Sequence, residues 1–237
     1  MSLDNRVALI TGATGTLGRV VSKSLGSQGA RLVLKGRNLD TLNEAAAQLD
    51  LPNARILKCV FEASKKEDAD EAVRLAKEKF GGVDILIHLV GGWVGGQPLV
   101  NSSHKDVEDM LQQHLWSTLY LTQAFLPQAL QNGWGRIIIV SSTVAVNPKA
   151  NSGPYAIGKT AQETVIRTVA QETKGKGVTA NILQINMIDS KHERENNPSL
   201  ENASWTTPEE IAAAILYLCS PEAGMVNGAR IPLYGSA

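Results

Sequence analysis

The stretch Val7-Ala8-Leu9-Ile10-Thr11-Gly12-Ala13-Thr14-Gly15-Thr16-Leu17-Gly18 decides the fold. Its first four residues form an unbroken apolar run, the pattern of a strand covered on both faces. A helical pattern occupies residues 16–27, so the glycines sit at a strand-to-helix turn. Gly12 suits the tight turn, Gly15 lets the backbone approach a pyrophosphate, and Gly18 lets the helix pack closely. Thr14, Thr16 and Leu17 complete the loop and the first helical turn, whose free N–H groups and positive dipole end favour an anion. Strand, loop and helix in this order predict a dinucleotide-phosphate cradle. The competing reading is an ordinary glycine-rich turn.

Working outward, apolar runs at residues 31–34, 54–58, 84–89, 136–140, 179–185 and 231–233 read as further strands. Helical patterns fall between them at 39–49, 66–80, 103–131, 153–174 and 208–219. Strand–helix alternation implies parallel strands joined by right-handed crossovers. The expected fold is α/β: a single-domain, Rossmann-type doubly wound parallel sheet of about seven strands, flanked by helices on both faces and spanning residues 1–237. Two segments break the rhythm: residues 91–98 (GGWVGGQP) and the polar residues 187–206. Both follow a strand's carboxyl end, where open α/β sheets bind ligands.

Composition narrows the function. The chain of 237 residues is 43% hydrophobic and 19% charged, enough apolar material for one large core. Basic and acidic side chains balance at 23 each, so nothing favours a nucleic-acid or anionic-membrane partner. Cys59 and Cys219 stand in apolar runs and read as buried thiols of a reducing compartment. The N-terminus reads as the start of a strand and not as a signal peptide. No apolar run approaches the roughly 20 residues needed to cross a bilayer. These features predict a cytoplasmic protein that binds no metal.

After the second strand comes Lys35-Gly36-Arg37-Asn38, with no acid before Asp40. An acid there would accept from the ribose hydroxyl of NAD and repel a 2′-phosphate, whereas the Arg37 fork suits that phosphate. The reading leans to NADP(H) over NAD(H). Its alternative is that Lys35 and Arg37 are solvated charges at a strand end.

Tyr155-Ala156-Ile157-Gly158-Lys159 opens a helix, where residues four apart share a face. Ser142 ends the fifth strand, on the ligand edge. A phenol near pKa 10 is a poor base at neutral pH, and a neighbouring ammonium together with a positive nicotinamide favours the phenolate. The Ser142 hydroxyl is suited to hold a substrate oxygen on which charge develops.

With these residues in view, the chain resembles the short-chain dehydrogenase/reductase family over essentially its whole length. The resemblance rests on TGATGTLG, on Ser142 set 13 residues before Tyr155, on YAIGK, and on the C-terminal stretch TPEEIAAAILYLCSPEAGMVNGARIPL. It implies an NAD(P)-dependent oxidoreductase that moves a hydride between nicotinamide and a carbonyl or alcohol. Tyr155 would be the acid/base, Lys159 would also hold the nicotinamide ribose, and Ser142 would orient the substrate. The long helices at 103–131 and 153–174 would build a homodimer or homotetramer.

The sequence also departs from the family pattern. The compact members' glycine spacing would place Gly at Thr16. Asn-Asn-Ala-Gly becomes His88-Leu89-Val90-Gly91, and the acid expected near the adenine becomes Val60, which predicts an altered adenosine wall around Val90 and Gly91. His114 replaces the catalytic Asn, whose backbone carbonyl holds a water of the proton relay. It reads either as a histidine packed at a helix kink or as a group titrating near neutral pH. Pro-Gly after the sixth strand becomes Ile185-Asn186. The backbone of Ile185 and Ile188, with the Ser190 hydroxyl, would meet the nicotinamide amide. Trp93 and Val144 are candidates for the substrate wall, with ordinary loop packing the other reading of Trp93. Residues 187–206 read either as a cover over a small or moderately polar substrate or as a solvated loop. Two further functions stay open: a non-catalytic dinucleotide-binding regulator or scaffold, and an isomerase or dehydratase on the same frame.

Overall fold

In a computed structural model the described residues are 2–61 and 64–235. Seven strands form one parallel sheet in the order β3-β2-β1-β4-β5-β6-β7. They are β1 (Val7–Thr11), β2 (Arg31–Gly36), β3 (Ile56–Val60), β4 (Ile85–His88), β5 (Gly135–Ser142), β6 (Val178–Ile185) and β7 (Arg230–Pro232). The helices are α1 (Thr16–Ser27), α2 (Leu39–Ala47), α3 (Lys66–Phe80), α4 (His104–Met110), α5 (Ser117–Asn132), α6 (Gly153–Glu172), α7 (Glu193–Asn196) and α8 (Pro208–Cys219).

Alternation along β1 splits the core in two. Successive strand residues point to opposite faces, so Ala8 and Ile10 enter one apolar cluster and Val7 and Leu9 the other. The first cluster takes Val21 and Leu25 of α1, Leu42 of α2 and Ile211, Ile215 and Leu218 of α8. The second takes Ala69, Ala72 and Ala76 of α3, Phe125 of α5 and Ile166 and Val169 of α6. Fully burying one such Leu, Ile, Val or Phe side chain contributes about 1.5–3 kcal/mol. Capping fixes where α8 begins: the Thr207 hydroxyl accepts from the Glu210 amide, Glu210 accepts from the Thr207 amide, and Pro208 takes the first turn.

Strand order reverses between β1 and β4, so their carboxyl ends part and open a crevice. The loop after β1 crosses the loop after β4 closely. A Cβ on Gly12, whose φ is +68°, would lie 3.3 Å from the Leu89 carbonyl carbon.

Several boundaries differ from the sequence reading. The third strand is Ile56–Val60 and not 54–58, because Asn53–Arg55 forms a 3-10 turn. The helix expected at 39–49 ends at Ala47, and that at 153–174 ends at Glu172. The single helix expected at 103–131 is broken: a π-helical turn, Leu111–Trp116, separates α4 from α5. There the Ser117 and Thr118 hydroxyls bond the Gln113 and His114 carbonyls, each at 2.6 Å. Wide turns of this kind recur at functional sites. Among the described residues no helix is long and apolar enough to cross a membrane. Both thiols are buried, and burial pushes Cys59 up to about 11 and Cys219 up to about 12.

Candidate active site

A groove of about 500 Å³ opens at the crevice. Gly12, Thr14 and Gly15 line it from the first loop, Lys35, Gly36 and Arg37 from the second, and Val90 and Gly91 from the fourth. Thr16 and Leu17 lie in the first turn of α1, with Thr16 exposed and Leu17 facing the core. Gly18 has a steric reason: a Cβ there would stand 2.1 Å from the Gly12 carbonyl oxygen and 2.7 Å from the Ala13 Cα. Only glycine lets α1 rest on the loop. Gly15 caps α1 without a side-chain bond, so the first-turn amides stay available to an anion. Thr16 in place of a glycine is therefore accommodated at the outer surface of the turn.

Lys35 and Arg37 part company. Arg37 is exposed and lines the groove. Lys35 is 1% exposed, and its amine donates to the Phe61 carbonyl at 3.3 Å. It is not a solvated charge. Val60 ends β3 with its side chain partly exposed, while Phe61 and Ser64 line the groove beyond it. The sequence offered no periodic signal for these two, nor for Gln113 and Ser117, which also line it.

Of the altered fourth-strand motif, Leu89, Val90 and Gly91 line the groove. His88 does not stand in the wall. It is 1% exposed behind it, with Nδ1 2.7 Å from the Thr11 hydroxyl and Nε2 2.9 Å from the Ser117 hydroxyl. The Ser117 proton goes to the Gln113 carbonyl, so Ser117 accepts from Nε2–H. Nδ1 then accepts from Thr11, whose oxygen accepts from the Leu89 amide. Burial, then the Lys159 charge, pushes this imidazole down to about 3, and it stays neutral.

Ser142, Tyr155, Lys159 and His114 gather at the far side of Gly91. A Cβ on Gly91 would lie 2.8 Å from His114 Cε1 and 3.8 Å from Lys159 Nζ. Burial raises the Tyr155 phenol above its ordinary value, and the neighbouring Ser142 hydroxyl opposes that rise. Lys159 Nζ lies 6.0 Å from the Tyr155 ring centre and donates to the Val140 carbonyl and to Gln162 Oε1, each at 2.9 Å. Burial lowers the amine to about 7, and the charge of Glu163 opposes that fall. The protein's own groups thus leave Tyr155 as a phenol. The phenolate expected beside the lysine needs further positive charge.

His114 is fully buried and meets the Tyr155 ring edge-on, centres 5.5 Å apart. Its Nε2 lies 3.0 Å from the Gly92 carbonyl, which only accepts, so Nε2 carries the proton. Burial, then Lys159, pushes it down to about 3. The expectation that it titrates near neutral pH is overturned. Its packing at the π-turn matches the helix-kink reading. Gly158 is small for the same reason: a Cβ there would meet the Met110 carbonyl oxygen at 2.9 Å and His114 Cδ2 at 3.0 Å.

The remaining candidates are more scattered. Val144 follows Ser142 and is buried, and its amide meets the Ser142 hydroxyl at 3.5 Å. Trp93 is exposed in its loop. Ile185 pairs with Ser142 across the sheet. Ile188 and Ser190 line a second hollow inside the 187–206 segment, apart from the Gly12 groove. That segment is well tied down. Asp189 accepts from the Glu193 and Arg194 amides, and Arg194 pairs with Glu210. Asn186 accepts from Thr143 and donates to Ser204, which seats the segment's base beside Ser142.

The short chain dehydrogenase family model matches residues 6–201. This chain belongs to that family. It is 30% identical to dehydrogenase/reductase SDR family member 4 of Bos taurus, covering 99% of this chain and 88% of the relative. An uncharacterised oxidoreductase of Staphylococcus aureus is 29% identical, covering 95% and 96%. A short chain dehydrogenase from Bacillus anthracis superposes with a TM-score of 0.88 at 27% identity, over 98% of this chain and 95% of that one. A 3-ketoacyl-(acyl-carrier-protein) reductase from Brucella melitensis, solved with NADH, gives 0.88 at 26% identity over 99% of each chain. Members of this family are NAD(P)-dependent oxidoreductases, and the seven-stranded parallel sheet is the expected one.

Proposed function

We propose that this oxidoreductase prefers NADP(H) and interconverts a carbonyl and an alcohol, with Tyr155 as general acid/base. The observation that carries the reading is the convergence of Tyr155 and Lys159 on Ser142 at the carboxyl edge of β5, next to the Gly91 end of the groove. The groove suits a dinucleotide. Gly12, Thr14, Gly15, Thr16, Leu17 and Gly18 would take the pyrophosphate, Val90 and Gly91 the adenosine wall, and Arg37 a 2′-phosphate. Ile185, Ile188 and Ser190 would reach the nicotinamide amide. The bound nicotinamide supplies or accepts the hydride, and its positive oxidised form favours the phenolate.

In reduction, Ser142 would hold the carbonyl oxygen and Tyr155 would give it the proton. In oxidation the phenolate removes the alcohol proton. Lys159 supplies positive charge beside the phenol. His114, a neutral ring against Tyr155, fixes its orientation. Trp93 and Val144 border the substrate, and residues 187–206 cover a small or moderately polar one. Trp116 and Tyr120 stack at 5.8 Å on the π-turn and α5, with Trp116 partly exposed. That face and α6 would join copies into a homodimer or homotetramer in the cytoplasm.

The test offers NADPH or NADH with a panel of aldehydes, ketones and quinones and follows nicotinamide absorbance. The expected result is consumption by the wild type, faster with NADPH, and none by Tyr155→Phe, which still binds the dinucleotide. Binding without consumption across the panel would point to a non-catalytic dinucleotide-binding protein instead.

A further inference from the structure

Gln162 is fully buried on α6, one turn beyond Lys159. A buried amide is costly unless both its ends are paired, and here both are. Its Oε1 accepts from Lys159 Nζ at 2.9 Å, and its Nε2 lies 2.9 Å from the Thr118 hydroxyl. That hydroxyl lies 2.6 Å from the His114 carbonyl.

The direction of this chain follows from the groups in it. A carbonyl only accepts, so the Thr118 proton is committed to His114. The Thr118 oxygen must then accept from the amide NH₂, which turns Oε1 toward the lysine. The reverse orientation would set NH₂ against the ammonium, donor to donor.

We infer that Gln162 is a positioning residue: its side-chain oxygen, locked by Thr118 and the π-turn, holds the Lys159 amine in place beside Tyr155 and favours its protonated form. The proposal deepens the acid/base reading of Tyr155 and rests on it. The titratable groups around the amine are Tyr155 and Glu163 on the same helix, His114 on the π-turn and His88 on β4. Both histidines are neutral. Glu163 is itself held by Arg230 Nε of β7 at 2.6 Å and by Gln184 Nε2 of β6 at 3.0 Å. Only Gln162 and the Val140 carbonyl accept directly from Nζ among the hydrogen bonds described. The π-turn acquires a purpose in this arrangement, since it carries both His114 and the carbonyl that fixes the amide.

The experiment is an NMR pH titration of the full chain labelled with ¹³C at lysine Cε, with Lys159 assigned by its absence in Lys159→Met. The variants are Gln162→Met, which keeps the volume and loses the acceptor, Gln162→Glu, which restores it with a charge, and Thr118→Val, which frees the amide to rotate. A hydrogen bond to a charged group is worth enough to move the midpoint by about one pH unit. Gln162→Met should lower the Lys159 midpoint by that amount, Thr118→Val should lower it less, and Gln162→Glu should raise it. In alcohol oxidation, the pH of half-maximal rate should rise in Gln162→Met while dinucleotide affinity stays within about threefold, as a moved charge and not a damaged site requires.

Unchanged Lys159 midpoints in both Gln162→Met and Thr118→Val would overturn the inference. Should Gln162→Met fail to fold, Thr118→Val decides alone. The titration needs no substrate. A wild type that turns over nothing, yet shows the midpoint shifts, would refute the hydride-transfer reading and leave the role of Gln162 standing.

Discussion

Lys159→Met should be inactive, and its stability relative to the wild type should depend on pH in a defined way. The amine falls from 10.5 to about 7 on burial in the native chain. Between those values the unfolded chain binds the extra proton and the native chain does not. Stability of the wild type therefore rises with pH across that window, by up to about 1.4 kcal/mol per pH unit. Below pH 7 both states are protonated and the native state carries the full cost of a buried ammonium, on the order of 4–5 kcal/mol. Methionine has similar length and no proton to place. The stability of Lys159→Met relative to wild type should thus be greatest near pH 6 and shrink steadily toward pH 10. Its absolute value is reduced by about 1–3 kcal/mol for each acceptor left unpaired at Val140 and Gln162, an offset that does not vary with pH. Urea unfolding of both proteins at several pH values measures the difference. Parallel stability–pH curves would refute the reasoning, because they would mean that the lysine titrates alike in the folded and unfolded chains.

Four further outcomes are expected. Gly18→Ala places a methyl group 2.1 Å from the Gly12 carbonyl oxygen, so dinucleotide affinity measured by calorimetry should fall at least about tenfold and stability by about 1–3 kcal/mol. His88→Leu removes one of the two hydrogen bonds made by each of the buried Thr11 and Ser117 hydroxyls, and urea unfolding should register a loss of about 2–4 kcal/mol; a loss under about 0.5 kcal/mol would dismiss His88 as a pillar between the strands and the π-turn. His88 and His114 are held near 3, below their unfolded 6.5, so stability should fall as pH drops from about 6.5 toward 3, and His114→Leu should flatten that fall by about one proton. Arg37→Glu should weaken NADPH binding more than about tenfold and leave NADH binding unchanged or improved; equal losses for both would remove Arg37 from the phosphate.

What the sequence disclosed and what it concealed divide along physical lines. The continuous run at β1 and the spacing of Gly12, Gly15 and Gly18 are local features, and they located the crevice before any coordinates. Tyr155 and Lys159 are one helical turn apart, and Ser142 lies at a strand end, so their meeting was legible as well. The π-turn was not, because no residue type announces hydrogen bonds five residues apart, and the segment 103–131 keeps an ordinary helical pattern through it. The pairing of His88 with Thr11 spans 77 positions and exists only once β1 and β4 lie side by side. Lys35 looked like a surface cation because charge is the only thing a sequence shows of a lysine, while its burial is set by Phe61 and the neighbouring strand. Gln162 reads as an ordinary polar helix residue. Its orientation depends on Thr118 and on a carbonyl from another helix.

The account stands on hydride transfer beside Tyr155, and isotope tracing tests that most directly. NADPH carrying deuterium on the transferable position of the nicotinamide is incubated with the best carbonyl substrate of the panel, and the alcohol is weighed by mass spectrometry. The predicted result is one deuterium on the carbinol carbon with the wild type and no labelled alcohol with Tyr155→Phe. Alcohol formed without the label, or formed equally well by Tyr155→Phe, would contradict it.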